Sequence, residues 1–231
     1  MIRKVFILCS IVLLCSSEAA AYPLYWGSVS SGNGLVGTAR WASKVTFSWD
    51  IEFDDIDDVW KYDYTLRVPR KSISHIVIET SSTFTEENLF AGTTDYDELG
   101  LIGAQGNSNP NIPESVYGIK FEPEHKTTTY YFSIVTDRAP VWGDFYAKSG
   151  RKARGKWNTV YNAGFTSPDS DPDSFFYPPS NGSVGGHVLV PDTLAFIPDD
   201  GPTNIPEPLS LILLGLTVSF LGGRNFFRSS K

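Results

Sequence analysis

Cysteine is nearly absent from this chain: there are two, Cys9 and Cys15, and both fall in the first 21 residues. Once that segment is removed, no disulfide can staple the fold and no thiol can serve as nucleophile or soft metal ligand. Histidine is almost as scarce. His75, His125 and His187 stand far apart, and no two of them share a metal-ligand spacing. His75 lies inside an alternating run and His187 begins one, so both are expected to be structural. There is no G-x-S-x-G elbow and no H-E-x-x-H helix, which removes the usual signatures of serine hydrolases and zinc proteases. A protein without enzymatic activity is the expectation; a glycosidase needs only two carboxylates brought together by the fold and leaves no motif. Sustained helical spacing is missing too, which argues against an α or α/β architecture.

What is present starts at the two ends. Arg3 and Lys4 precede the apolar run Val5 to Leu14, and Ala19 and Ala21 offer small residues where a signal peptidase reads. Residues 1–21 are therefore read as a cleaved signal helix. At the other end, Pro206-Glu207-Pro208 is followed by an apolar run with no charge before Arg224, and the chain closes with Arg228 and Lys231. The prolines end whatever precedes them and suit the first turn of a new helix. Residues 209–223 form a short single transmembrane helix on this reading, marginal for a hydrocarbon core about 30 Å thick at about 1.5 Å rise per residue. Basic residues beyond it mark a membrane stop.

This order of cleavable signal, globular body, Pro-Glu-Pro, apolar helix and basic end resembles the PEP-CTERM proteins, the substrates of exosortases. The likeness is carried by Pro206, Glu207, Pro208, Arg224 and Arg228 in the segment 206–231, with Arg224 and Arg228 separated by Asn225, Phe226 and Phe227. It implies export, transient anchoring in the inner membrane, cleavage by the exosortase, and release to the cell surface or an exopolysaccharide matrix.

Between the ends lie a body, 22–190, and a Pro-rich spacer, 191–205. The whole chain carries a formal charge of −7. Arg3, Lys4, Arg224, Arg228 and Lys231 stand outside residues 22–205 but only Glu18 and Glu207 do, so body and spacer together are more acidic still. That argues against nucleic acid as a partner.

The body has the periodicity of strands. Val45, Phe47, Trp49, Ile51 and Phe53 alternate with polar residues, as do Trp60, Tyr62, Tyr64, Leu66 and Val68, with the acidic connection Asp54 to Asp58 between them. Further strands are expected at Ile73 to Glu79, Val116 to Phe121, Thr128 to Val135, Trp142 to Ala147 and Gly186 to Val190, with one helical turn at Thr85 to Phe90. Gly92 to Pro113 and Asn162 to Gly185 read as long loops. The fold class is all-β, an antiparallel β-sandwich of jelly-roll or immunoglobulin-like topology.

Three constellations bear on ligands. Asp169, Asp171 and Asp173 alternate as calcium ligands do, although Ser174 and Ser180 stand where an EF-hand loop needs Gly and Glu; calcium is the only cofactor this suggests. The Asp54 to Asp58 run with Asp63 is a second acidic group. Lys148, Arg151, Lys152, Arg154 and Lys156 reverse the local sign of charge beside Trp142, Phe145, Tyr146 and Trp157, as a site for anionic exopolysaccharide would. All six Trp and all eleven Tyr lie in the body, where alternating Trp49, Trp60, Tyr62 and Tyr64 are expected to be core. A structural or adhesive matrix component is the function expected, with a secreted carbohydrate-binding module or carbohydrate-active enzyme as the alternative.

Overall fold

The structure is a computed structural model and describes residues 24–103, 108–150, 152, 155–165 and 179–191. These residues are almost entirely strand, turn and loop. The strands are β1 (Tyr25–Ser31), β2 (Gly34–Gly37), β3 (Thr46–Asp54), β4 (Val59–Arg67), β5 (Ile73–Glu79) and β6 (Glu98–Ile102). They continue with β7 (Val116–Phe121), β8 (Thr129–Thr136), β9 (Pro140–Gly143), β10 (Phe145–Ser149), β11 (Thr159–Asn162) and β12 (Val188–Pro191). The only helical pieces among the described residues are single 3-10 turns at Ala39–Trp41 and Glu86–Asn88. In the second, Asn88 Oδ1 accepts the Thr85 N–H at 2.9 Å, closing the turn expected there.

Ten strands form one sheet in the order β6-β7-β5-β10-β11-β2-β1-β3-β4-β8, and β12 pairs with β9 in a second, two-stranded sheet. Every pairing is antiparallel except β1 with β2, which is parallel over two positions. Parallel neighbours ordinarily need a long crossover. Here Gly32 and Gly34 take positive φ (85° and 82°), so the chain sidesteps by one strand width and carries on in the same direction. β1 thus pairs with β3 on one side and β2 with β11 on the other, and this sidestep joins the two halves of the sheet.

The halves fold face to face. Phe47 of β3 stacks on Phe145 of β10 with ring centroids 4.0 Å apart, and Phe121 of β7 meets Phe132 of β8 at 4.8 Å, although these strands are distant in the sheet order. The layering is sandwich-like, made by one sheet curling over itself. The buried interior contains Trp41, Phe47, Trp49, Ile51, Tyr62, Tyr64 and Leu66. Alternation thus sent Phe47, Trp49, Tyr62 and Tyr64 inward as expected, with Trp60 half-buried and Phe53 exposed where the two strands meet their connecting turn. Buried hydroxyls find partners: Tyr64 donates to Leu189 O at 2.9 Å and Tyr62 to Arg138 O at 2.7 Å.

The free edge of β8 is covered by the segment Leu89 to Thr94. Phe90 N–H donates to Val135 O and Thr94 N–H to Ser133 O, both at 2.9 Å. The Thr93 and Thr94 hydroxyls accept the N–H groups of Val135 and Ser133, again at 2.9 Å. The same segment runs on into β6, which pairs with β7 at the opposite end of the sheet.

Some expectations are corrected. Trp142 to Ala147 is two strands, broken at Asp144, with β9 pairing β12 and β10 pairing β5 and β11. Gly92 to Pro113 contains β6. Among the described residues no helix is long and apolar enough to cross a membrane; Pro191, read as the start of the spacer, ends β12, and the rest of the spacer and the segments read as signal and anchor helix lie outside the described residues.

Candidate functional site

The two halves differ on their outer faces. On the half built from β5, β7 and β10, Val77, Val116 and Tyr146 are buried beneath Ile112 and Phe165, and Tyr146 donates to Pro110 O at 2.8 Å. The outer face of β1, β3, β4 and β8 is open. Its register places Trp26, Asp50, Asp63 and Ser133 side by side across four strands, and Ser28, Ser48, Thr65 and Tyr131 in the next outward-facing row. Small residues fill the middle of both rows and a large ring ends each. Trp26 is 54 % exposed and Tyr131 63 %. At about 4.8 Å between strands and about 3.4 Å per residue, their Cα atoms stand roughly 16 Å apart.

On the Tyr131 side of this face a depression of about 190 Å³ is lined by Asp50, Asp63, Thr94, Tyr131 and Ser133 among others, with Trp26 beyond it on β1. Asp50 and Asp63 are direct cross-strand partners, which puts their Cβ atoms about 5 Å apart and sets two like charges against each other. Asp63 is held by Lys61 Nζ at 2.9 Å and by the Ser133 hydroxyl at 2.5 Å. That hydrogen bond to Asp63 keeps the Lys61 ammonium above its usual pKa, and Glu52 at 3.4 Å adds to it. Asp50 has no hydrogen-bonding or ionic partner among the described residues. Arg67 donates to the Tyr131 hydroxyl at 3.4 Å. Trp26 is fixed by its backbone: its N–H donates to Asn181 Oδ1 at 3.0 Å and its carbonyl accepts from Gly182 at 2.8 Å. The ring itself is left to solvent.

The basic segment is arranged differently from the loop expected. Lys148 belongs to β10 and is nearly buried, with Nζ 4.7 Å from the Trp157 ring centroid; Lys152 lies 5.2 Å from the same ring. Lys156 is exposed, and Arg151 and Arg154 lie outside the described residues. Trp142, Phe145 and Tyr146 are core residues and offer no stacking surface. Behind Lys148, on neighbouring strands, are His75 and Lys120, the latter paired with Asp97 and with Glu122 at 3.1 Å. Burial, then the charges of Lys148 and Lys120, push the His75 imidazole down to about 3. Burial and Lys120 likewise lower Lys148.

His75 and His187 are buried, in line with structural roles. His187 Nδ1 lies 3.2 Å from Asp144 Oδ1, which also accepts Asn162 Nδ2 at 2.5 Å; Asn162 Oδ1 in turn accepts the Phe145 N–H at 2.9 Å. This network fastens the β9–β10 break to β11 and to the turn before β12. Gly164 packs so closely on the His187 ring that a Cβ there would lie 2.1 Å from it.

Among the described residues no three His, Cys, Asp or Glu side chains converge as a metal site. The carboxylate of Asp54 is occupied by the N–H groups of Ile56 (2.9 Å) and Asp57 (3.3 Å), and Asp63 stands opposite Asp50 on the strand instead of joining that turn. Asp169, Asp171, Asp173, Ala19, Ala21, Pro206, Glu207, Pro208, Arg224 and Arg228 lie outside the described residues.

Compared with known proteins, the chain matches no family model, no curated protein and no solved structure. Periodicity marks Asp50 and Asp63 as solvent-facing; the register sets them opposite each other, with Trp26 beside Asp50 and Tyr131 in the next row.

Proposed function

We propose that this chain is an exported, non-catalytic component of the cell surface or exopolysaccharide matrix, sorted by an exosortase through its tail, with the β-body adhering to polysaccharide. The observation that carries the adhesive role is the open outer face of β1, β3, β4 and β8, with exposed Trp26 and Tyr131 at its borders. Flat faces bearing separated rings and polar side chains suit sugars, which present both apolar C–H faces and hydroxyls. Export and sorting are supported by the Ala19 and Ala21 cleavage site, the Pro206-Glu207-Pro208 motif and the basic end at Arg224 and Arg228.

Two measurements test this. Full-length protein produced in an exosortase-bearing host should be recovered outside the cell with a mass lacking residues 1–21 and the apolar tail; a released species that retains Leu209 to Lys231 would sink the sorting. The released protein should be retained on polysaccharide without generating reducing ends. A second function has one observation in its favour, the opposed Asp50 and Asp63, since retaining glycosidases hold two carboxyl groups about 5 to 5.5 Å apart. New reducing ends that vanish in Asp50→Asn would move the protein into that class.

A further inference from the structure

Which kind of polysaccharide the face can take follows from its charge. We infer that the ligand is an uncharged, hydroxyl-rich glycan lying across the strands from Trp26 to Tyr131, with Asp50 and Asp63 accepting its hydroxyls. This rests on the adhesive function proposed above and specifies its site and ligand class. It also departs from the anionic glycan that the Lys148 to Lys156 segment suggested.

The unmet chemistry of the face is an acceptor surplus. An ionised carboxylate only accepts, and Asp50 has no donor among the described residues. The Asp63 oxygens already take Lys61 and Ser133, and still leave lone pairs. Two carboxylates on opposed positions are unfavourable in isolation, so the arrangement is relieved by whatever brings donors between them. Neighbouring hydroxyls of a sugar do this without adding charge. An acidic glycan would bring a third negative charge to within a few ångströms of the first two, a like-charge juxtaposition that interfaces avoid.

The cations nearby do not reverse this. Lys61 is shared between Asp63 and Glu52, and Arg67 is turned to the Tyr131 hydroxyl. A basic peptide would answer the charge and its cations can sit over single rings, but it makes no use of the flat run of hydroxyls from Ser28 through Ser48 and Thr65 between them. Rings at both ends and hydroxyls between fit a chain of sugar rings. The separation exceeds one sugar ring, so a monosaccharide cannot reach both aromatic ends and binding should strengthen with chain length.

The test uses the mature secreted protein and its Trp26→Ala, Tyr131→Ala and Asp50→Asn variants, with Lys152→Gln/Lys156→Gln as a control on the basic segment. Circular dichroism and the unfolding midpoint verify folding. Because Trp26 is anchored through its backbone and all three variant positions are exposed, the variants should stay folded. Probes are a soluble neutral glucan and a neutral mannan, their monosaccharides, polygalacturonate and oligolysine. A neutral glycan should be retained with little dependence on salt, since no ion pair with the ligand is screened. Each face variant should weaken it about tenfold or more, as expected for loss of a charge-assisted hydrogen bond or a stacking ring, and the control should match wild type. Stronger retention of polygalacturonate, lost with salt or in the control, overturns the inference and leaves the adhesive function standing. So does neutral-glycan retention that none of the face variants changes. Binding of oligolysine alone, or of no probe, overturns both.

Discussion

His75 is held neutral by its surroundings, and that has a measurable acid signature. Its imidazole, near 6.5 in an unfolded chain, is pushed down to about 3 in the folded protein by burial first and by Lys148 and Lys120 next. Between those values the unfolded chain binds a proton that the folded one refuses. The contribution to stability is therefore complete above pH 6.5 and is lost as the pH falls toward 3. A loss of about 3 to 5 kcal/mol is expected over that window from this residue alone. Urea midpoints measured at several pH values should show it, and His75→Gln should flatten the slope; an unchanged slope would mean that His75 titrates normally. Tyr64 gives a second residue-scale prediction. Removing its hydroxyl in Tyr64→Phe leaves Leu189 O without that partner in the core and should cost about 1 to 3 kcal/mol. Tyr64→Ala should cost about 3 to 5 kcal/mol, because a cavity is added. Equal midpoints for Tyr64→Phe and wild type would show that the carbonyl finds another donor.

At the scale of elements, what was legible depended on how many alternating side chains a strand carries. β3 and β4 have nine residues each with large aromatic or aliphatic side chains at successive inward positions, and the sequence places both to within one residue. β1 escaped notice because its middle inward position is Gly27, where a Cβ would lie 2.3 Å from the Trp49 ring. The residue that breaks the hydrophobic pattern is the one the packing requires. β2, β9 and β11 have four residues apiece, too few for a period to register, and β6 follows the polar stretch, Leu89 to Thr94, that lies along the edge of β8. That stretch yields a prediction of its own. Thr93 and Thr94 place hydroxyls on the outer N–H groups of β8, so Thr93→Val with Thr94→Val would leave two edge donors open to another chain. Concentration-dependent association should appear in light scattering, with a loss of about 1 to 3 kcal/mol in stability. A variant that stays monomeric at high concentration would show that backbone pairing alone guards the edge.

For the whole molecule, the candidate site was invisible in the sequence because it is a product of register. Trp26 and Tyr131 are far apart in the chain, and nothing local relates them until β1, β3, β4 and β8 align. The basic segment was the opposite case: conspicuous as a run of letters, yet in the folded protein Lys148 is in a strand and three of the four neighbouring aromatics are core. The continuous sheet also governs when the chain can fold. β2 waits for β11, β5 for β10, and the core hydroxyl of Tyr64 for Leu189, 125 residues later. Such non-local closure makes folding slow and leaves little that can form early. A chain ending at Asn162 lacks β12 and should show no cooperative unfolding transition and rapid proteolysis; a sharp transition in that fragment would disprove the point. During synthesis, then, the body must remain without its closed sheet, an unfinished polymer, until almost all of it has emerged.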